Sequence, residues 1–322
     1  MKRILLILLL SAIATTAPAQ QQHHNQKPED PFTLKKLTEN IYALYGHGGN
    51  IGFYVGSNAV FVVDSQFRDL APGIVDKIKS VTDKPIKYLL NTHHHGDHVG
   101  GNEHFLNFAI ILAHDNVRKR MLSSPQDILA QFPKRLEEAR QKGNQDAARY
   151  FEEQMEWAKK VKVEEIAAPF LTFDSEFRIH LNETIHVWHT PPAHTDGDGV
   201  AYFEKSKVLH MGDLFFNKVI PFIDVQGGGS PKGYLKAIDL VISRVAAEAV
   251  VIPGHGEVID LAGLKVFRKY IQDLLDVAQK ARTTGISKEQ FLKEVELPIY
   301  QDWRGYKDRF KANAEAAYDE GS

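Results

Sequence analysis

The 322-residue chain contains no cysteine. That absence excludes disulfides, thiolate metal ligands, a thiol nucleophile and lipid attachment at a lipobox. Any metal site must therefore be built from His, Asp and Glu. Basic charge is not in excess either. Lys and Arg number 39 against 41 Asp and Glu, a formal net charge of −2, which recommends no nucleic-acid partner. No long apolar run recurs after the N-terminus, so no membrane span is expected in the mature chain. The length suits one large domain or two modest ones.

The opening MKRILLILLLSAIATTAPAQ places Lys2 and Arg3 before a short apolar run, Ile4 to Ile13, and a small-residue site at Ala17-Pro18-Ala19. The pattern predicts a secretory signal peptide over residues 1–19, cleaved after Ala19, and hence export, expected to be to a bacterial periplasm. Residues 20–32 are polar, carry Pro28 and Pro31, and are expected to form a mobile tail. His23 and His24 fall in this stretch and are expected to be tail histidines without a fold around them.

From residue 33 short β-like runs alternate with turn residues: 40–46, 51–56, 59–65, 86–92 and 107–114. Helical spacing appears at 70–81. Residues 115 to about 163 are charged and helical, with Ala148, Phe151, Met155 and Ala158 on one stripe, and predict an insert of two or three helices that covers the surface. The β pattern returns at 171–181, 184–190, 199–206, 207–213 and 249–256. Ser230 and Pro231 open a helix, a second runs over 261–281, and a third begins at Ser287 with Gln290 as partner in a capping box. This order predicts two sheets in one α/β domain over 33–281, with a C-terminal helical extension over 282–322.

Chemistry-bearing residues follow the strands. "NTHHHGDHVGGN" (91–102) holds His93, His95, Asp97 and His98; His194 follows the strand over 184–190, Asp213 follows "VLHMG", and His255 follows "AVVIPG". Loops at strand ends can bring such groups to one cleft. His93 and His95, two apart, can point the same way, and Gly96 permits a bend that sends Asp97 and His98 toward a second metal. Neutral imidazole and carboxylate suit zinc. His186, His189 and His210 read as strand residues, His47 as a turn residue, and His94 as pointing away from the site.

Taken in order, "HHHGDH", "AHTDGD", "HMGDLFF" and "IPGHG" resemble the metal motifs of the metallo-β-lactamase superfamily. The resemblance spans most of 33–281 and implies a four-layer αβ/βα sandwich with metals at one edge. It implies His93, His95 and His194 on a first zinc, Asp97, His98 and His255 on a second, and Asp213 bridging them. Asp64 and Thr195 are expected behind these ligands, fixing their geometry. The implied activity is hydrolysis of a small-molecule ester, lactone, amide or lactam by a hydroxide held between two zinc ions, with Asp97 orienting it and shuttling its proton. Asp213 resembles the glyoxalase II and lactonase branches; lactamases of this family commonly carry Cys or Ser there. A periplasmic β-lactamase is the second reading, a di-iron redox enzyme on the same fold the third. A non-catalytic binding protein would be expected to carry a damaged ligand set, and this set is intact.

Overall fold

Thirteen strands alternate with helices in a computed structural model that describes residues 30–141 and 145–321. The expected signal peptide and residues 20–29 of the expected tail lie outside these. In chain order the elements are β1 (Thr33–Lys36), β2 (Ile41–Tyr45), β3 (Ile51–Val55), β4 (Val60–Val63), α1 (Ala71–Lys79) and β5 (Ile86–Leu90). Two single-turn helices follow, α2 (Gly96–Val99) and α3 (Asn102–Phe105), then β6 (Ile110–His114), α4 (Asp115–Gln141) and α5 (Gln145–Lys160). The second half holds β7 (Leu171–Phe173), β8 (Glu176–His180), β9 (Thr184–His189), β10 (Gly199–Phe203), β11 (Val208–His210), α6 (Pro231–Arg244), β12 (Val250–Ile252), β13 (Ile259–Asp260), α7 (Leu261–Thr283), α8 (Lys288–Glu294) and α9 (Tyr306–Asp319).

The strands form two sheets, β1-β2-β3-β4-β5-β6-β7 and β13-β12-β11-β10-β9-β8. Alternation along each strand assigns its faces. Phe61 and Val63 of β4, Ile185 and Val187 of β9, and Ala201 and Phe203 of β10 meet between the sheets. Val60 and Val62 point the other way, onto Ile74 and Ile78 of α1. Trp188, Val200 and Tyr202 likewise pack outward, in one cluster with Tyr234 of α6, Phe267 and Leu274 of α7 and Phe310 of α9. Helices thus cover both outer faces, and the architecture is the expected αβ/βα sandwich. Each large apolar side chain fully buried there stabilises by about 1.5–3 kcal/mol.

Several local expectations change. The stretch 171–181 is two strands in different sheets, β7 beside β6 and β8 beside β9. The break falls at Asp174-Ser175, a turn-forming pair whose carbonyls accept hydrogen bonds from His114 Nε2 and from the His189 N–H. Phe32, placed with the tail, is buried against α1 and belongs to the domain. The insert holds two α-helices among the described residues, within the expected two or three, with α4 running through Pro125 and Pro133. Ser230 caps α6 by accepting from the Gly233 N–H at 2.8 Å. Ser287 caps α8, but a further helix, α9, follows it.

Topology then gathers the chemistry. β4 runs parallel to β5, and β11 to β12. Their C-terminal ends coincide within each sheet, so the loops bearing Asp64, His93, Asp213 and His255 leave on the same edge. The Gly199 N–H donates to the Thr92 carbonyl at 2.8 Å and ties β10 to the loop bearing His93.

Candidate metal centre

His93 lies in the loop after β5, His95 just before α2, and Asp97 and His98 within it. With His194, Asp213 and His255 they make two groups. Ligating atoms of His93, His95, His194 and Asp213 all lie within 4.8 Å of one another, as do those of Asp97, His98 and His255. Asp213 sits between the groups: its carboxylate is 3.1 Å from His98 Nε2, 3.4 Å from His194 Nε2 and 3.5 Å from His255 Nε2. Asp97 Oδ2 is 3.2 Å from His255 Nε2. All seven expected ligands therefore converge.

What stands behind each imidazole fixes which nitrogen faces the centre. Asp64 is fully buried at the end of β4, at a φ of 66° that β-carbon-bearing residues seldom adopt. Its Oδ2 accepts from His98 Nδ1 at 2.7 Å and from the Thr92 hydroxyl at 2.8 Å. The Thr92 oxygen, its own proton so engaged, is left to accept from His93 Nδ1 at 3.0 Å. His194 Nδ1 donates to the Phe222 carbonyl at 2.6 Å. His95 is reversed: its Nε2 donates to Asp224 Oδ2 at 3.0 Å, and its Nδ1 faces His194 Nε2 at 2.9 Å. His93, His95, His98 and His194 thus each engage a protein acceptor through the outer nitrogen and turn the other nitrogen toward the centre.

This donor set fits a metal. Among the described residues, His93 Nε2, His98 Nε2 and Asp213 Oδ1 are buried with no hydrogen-bond partner, the last two facing each other at 3.1 Å as an ion pair. Such groups are costly unless a cation or proton satisfies them. Electrostatics agree. Burial, then the neighbouring imidazoles, hold His93 well below the usual histidine range, and burial pushes His194 down to about 3. Burial opposes charge on His98 and His255, but Asp213 and Asp97 overcome it, raising His98 well above its usual range and His255 to about 9. Burial opposes charge on the carboxylates too, yet the imidazoles hold Asp213 far below its range and Asp97 at about 2.

Backbone shape supports this closeness. Gly212, beside Asp213, has a φ of 51°, and a β-carbon there would collide with Thr92. At Gly49 a β-carbon would run into the His98 ring. Gly96, by contrast, has open space and no left-handed φ. The division of the motif comes from the helical turn of α2, and the bend expected of Gly96 is not what makes it.

Other residues fall around the centre. The Thr195 hydroxyl and N–H bond to Asp198 and not to a ligand side chain; Asp198 also accepts from the His194 N–H at 2.7 Å and so clamps that loop. His94 does not point away from the region: its Nε2 is 3.9 Å from Asp224 Oδ2 and its ring lies 4.8 Å from that of His95. His210 is buried, its Nε2 on the Asn50 carbonyl, and His189 stacks on His114. His47 is exposed. Asp198 and Asp224 were not singled out as supports by the sequence. Their only signals are the "AHTDGD" spacing and a carboxylate in the glycine-rich loop after Asp213.

Comparison with known proteins adds a family. The model of the metallo-beta-lactamase superfamily matches residues 44–255. No curated protein sequence gives a significant match. Among solved structures, the stereoselective inverting sec-alkylsulfatase Pisa1 from Pseudomonas sp. superposes with a TM-score of 0.65 at 16% identity, over 90% of this chain and 50% of its own. This chain therefore spans half the length of that enzyme. The DIM-1 metallo-beta-lactamase gives a TM-score of 0.54 at 18% identity, over 75% of this chain and 97% of its own. A metallo-beta-lactamase from Pontibacter korlensis gives 0.54 at 16%, over 75% and 99%. At these identities the likeness is one of fold.

Proposed function

The chain belongs to the metallo-beta-lactamase superfamily, and from that premise we propose that it is a binuclear zinc-dependent hydrolase acting on a carbonyl substrate, an ester, lactone, amide or lactam. The observation that carries the reading is the convergence of two ligand groups on Asp213, with buried nitrogen and oxygen atoms left without hydrogen bonds. Two zinc ions, when bound, supply a nucleophile by lowering the pKa of water and polarise the substrate oxygen.

The protein's own residues do the rest. Asp97, which the neighbouring imidazoles keep ionised against the cost of burial, orients the attacking water and shuttles its proton. Asp64 and Thr92 keep His98 and His93 from rotating, and Asp198 clamps the His194 loop. Phe222, 41% exposed with its ring 5.8 Å from that of His95, offers an apolar surface beside the centre for the substrate. Export to the periplasm belongs to the same proposal, on the strength of residues 1–19. The lactamase reading stands second, because Asp213 occupies the position where the resemblance places Cys or Ser in lactamases.

The test is a hydrolysis panel of esters, lactones, amides, lactams, thioesters, phosphoesters and sulfate esters, run with zinc and with chelator. At least one carbonyl substrate should turn over, lose turnover with chelator and regain it with zinc. Turnover confined to phosphate or sulfate esters, or indifferent to chelation, would refute the reading.

A further inference from the structure

We propose that Asp224 is a positioning residue for the first metal and that Arg120, on the helical insert, holds its loop in place. This rests on the two-metal reading above. One carboxylate oxygen of Asp224 accepts from the Gly227 N–H at 3.0 Å and fixes its own turn. The other takes the His95 Nε2 proton at 3.0 Å. His95 is the imidazole that must present Nδ1, which faces His194 Nε2 at 2.9 Å. Removing the acceptor frees the ring to rotate and to carry its proton on the wrong nitrogen.

The loop bearing Asp224 is joined to the loop bearing His194. The Asp224 N–H donates to the His194 carbonyl at 3.0 Å, the Asp196 N–H to the Gly227 carbonyl at 2.8 Å, and the Ser230 N–H to the Ala193 carbonyl at 2.8 Å. α4 closes the pair from outside. Arg120 binds Asp196 through Nε (3.2 Å) and Nη2 (2.7 Å), and its Nη1 donates to the Gln226 carbonyl at 3.2 Å. Asn116, on the same helix, donates to the Asp196 carbonyl at 2.8 Å. The insert thereby helps to set the ligand geometry as well as covering the fold.

His94 supplies the competing possibility. With His95 and Asp224 it makes a third cluster of possible ligands, its Nε2 3.9 Å from Asp224 Oδ2. A cation there would make Asp224 a ligand in its own right. The geometry favours positioning, because Asp224 lies within hydrogen-bond distance of His95 and not of His94.

The experiment titrates metal-stripped full-length protein with Co(II), following d–d absorption and chelator competition. It compares wild type with Asp224→Ala, Asp224→Asn and Arg120→Ala. Asp224→Ala should weaken one of two equivalents by about 10–100-fold and shift its absorption, leaving the other unchanged. Asp224→Asn should restore most of the loss, since its amide oxygen still accepts from His95. Arg120→Ala should weaken the same equivalent to a smaller degree. Unchanged cobalt binding and spectrum in Asp224→Ala would overturn the proposal. So would three equivalents in wild type falling to two, or equal weakening of both that Asn does not rescue. A wild-type chain that takes up fewer than two equivalents defeats the two-metal reading itself, and the proposal with it.

Discussion

Asp213→Asn should lower hydrolysis by about 10³-fold or more, the scale set by losing several kcal/mol of metal-derived stabilisation. The substitution keeps the volume, so no cavity opens. What it removes is the one anion, among the described residues, that approaches imidazoles of both groups, at 3.1 Å from His98, 3.4 Å from His194 and 3.5 Å from His255. Two cations would then face each other without the carboxylate between them, and at least one should be lost. The fold should persist, because the Tyr234 hydroxyl donates to the Asp213 backbone carbonyl and not to its side chain. Circular dichroism beside turnover checks both halves. Activity within a few-fold of wild type would contradict the role given to Asp213.

Metal affinity should rise steeply with pH between about 6.5 and 9. In the metal-free chain Asp213 and Asp97 hold protons on His98 and His255 against the cost of burial, the latter with a pKa of about 9. A divalent cation must displace those protons, so affinity should gain about tenfold per pH unit for each proton released. The sign for stability is opposite. A histidine whose pKa is raised on folding stabilises fully below its unfolded value of 6.5, and that contribution is lost as pH rises through the folded value. The stripped protein should therefore melt at a lower temperature at pH 9 than at pH 6.5, while the loaded protein does not follow it. Chelator competition and melting curves across this range test the pair. Affinity independent of pH would contradict it.

The seven residues that converge were legible because their signal is local and their order resembles the family's motifs. His93, His95, Asp97 and His98 sit in one short motif, and His194, Asp213 and His255 each follow a strand whose apolar run is plain in sequence. The alternation in "TIHVWH" likewise shows which residues enter the inter-sheet core. Asp224 was not legible as a support, because it lies 129 residues from the His95 it holds, and only tertiary packing brings them together. Arg120 meets Asp196 across 76 residues for the same reason. The run over 171–181 read as one strand because its apolar and polar residues alternate on both sides of Asp174-Ser175, and pattern alone does not reveal a change of sheet. Gly96 misled because glycine permits a bend without requiring one. Glycines that the site does require, Gly49 and Gly212 among them, are marked by what a side chain would strike.

The most direct measurement is elemental analysis of the full-length protein after zinc loading at pH 8 and removal of free metal. Two zinc ions per chain are expected, with hydrolysis rising in step with their uptake. One ion or none at saturation, or full hydrolysis by the stripped protein, would contradict the assignment of these seven residues to a pair of metals.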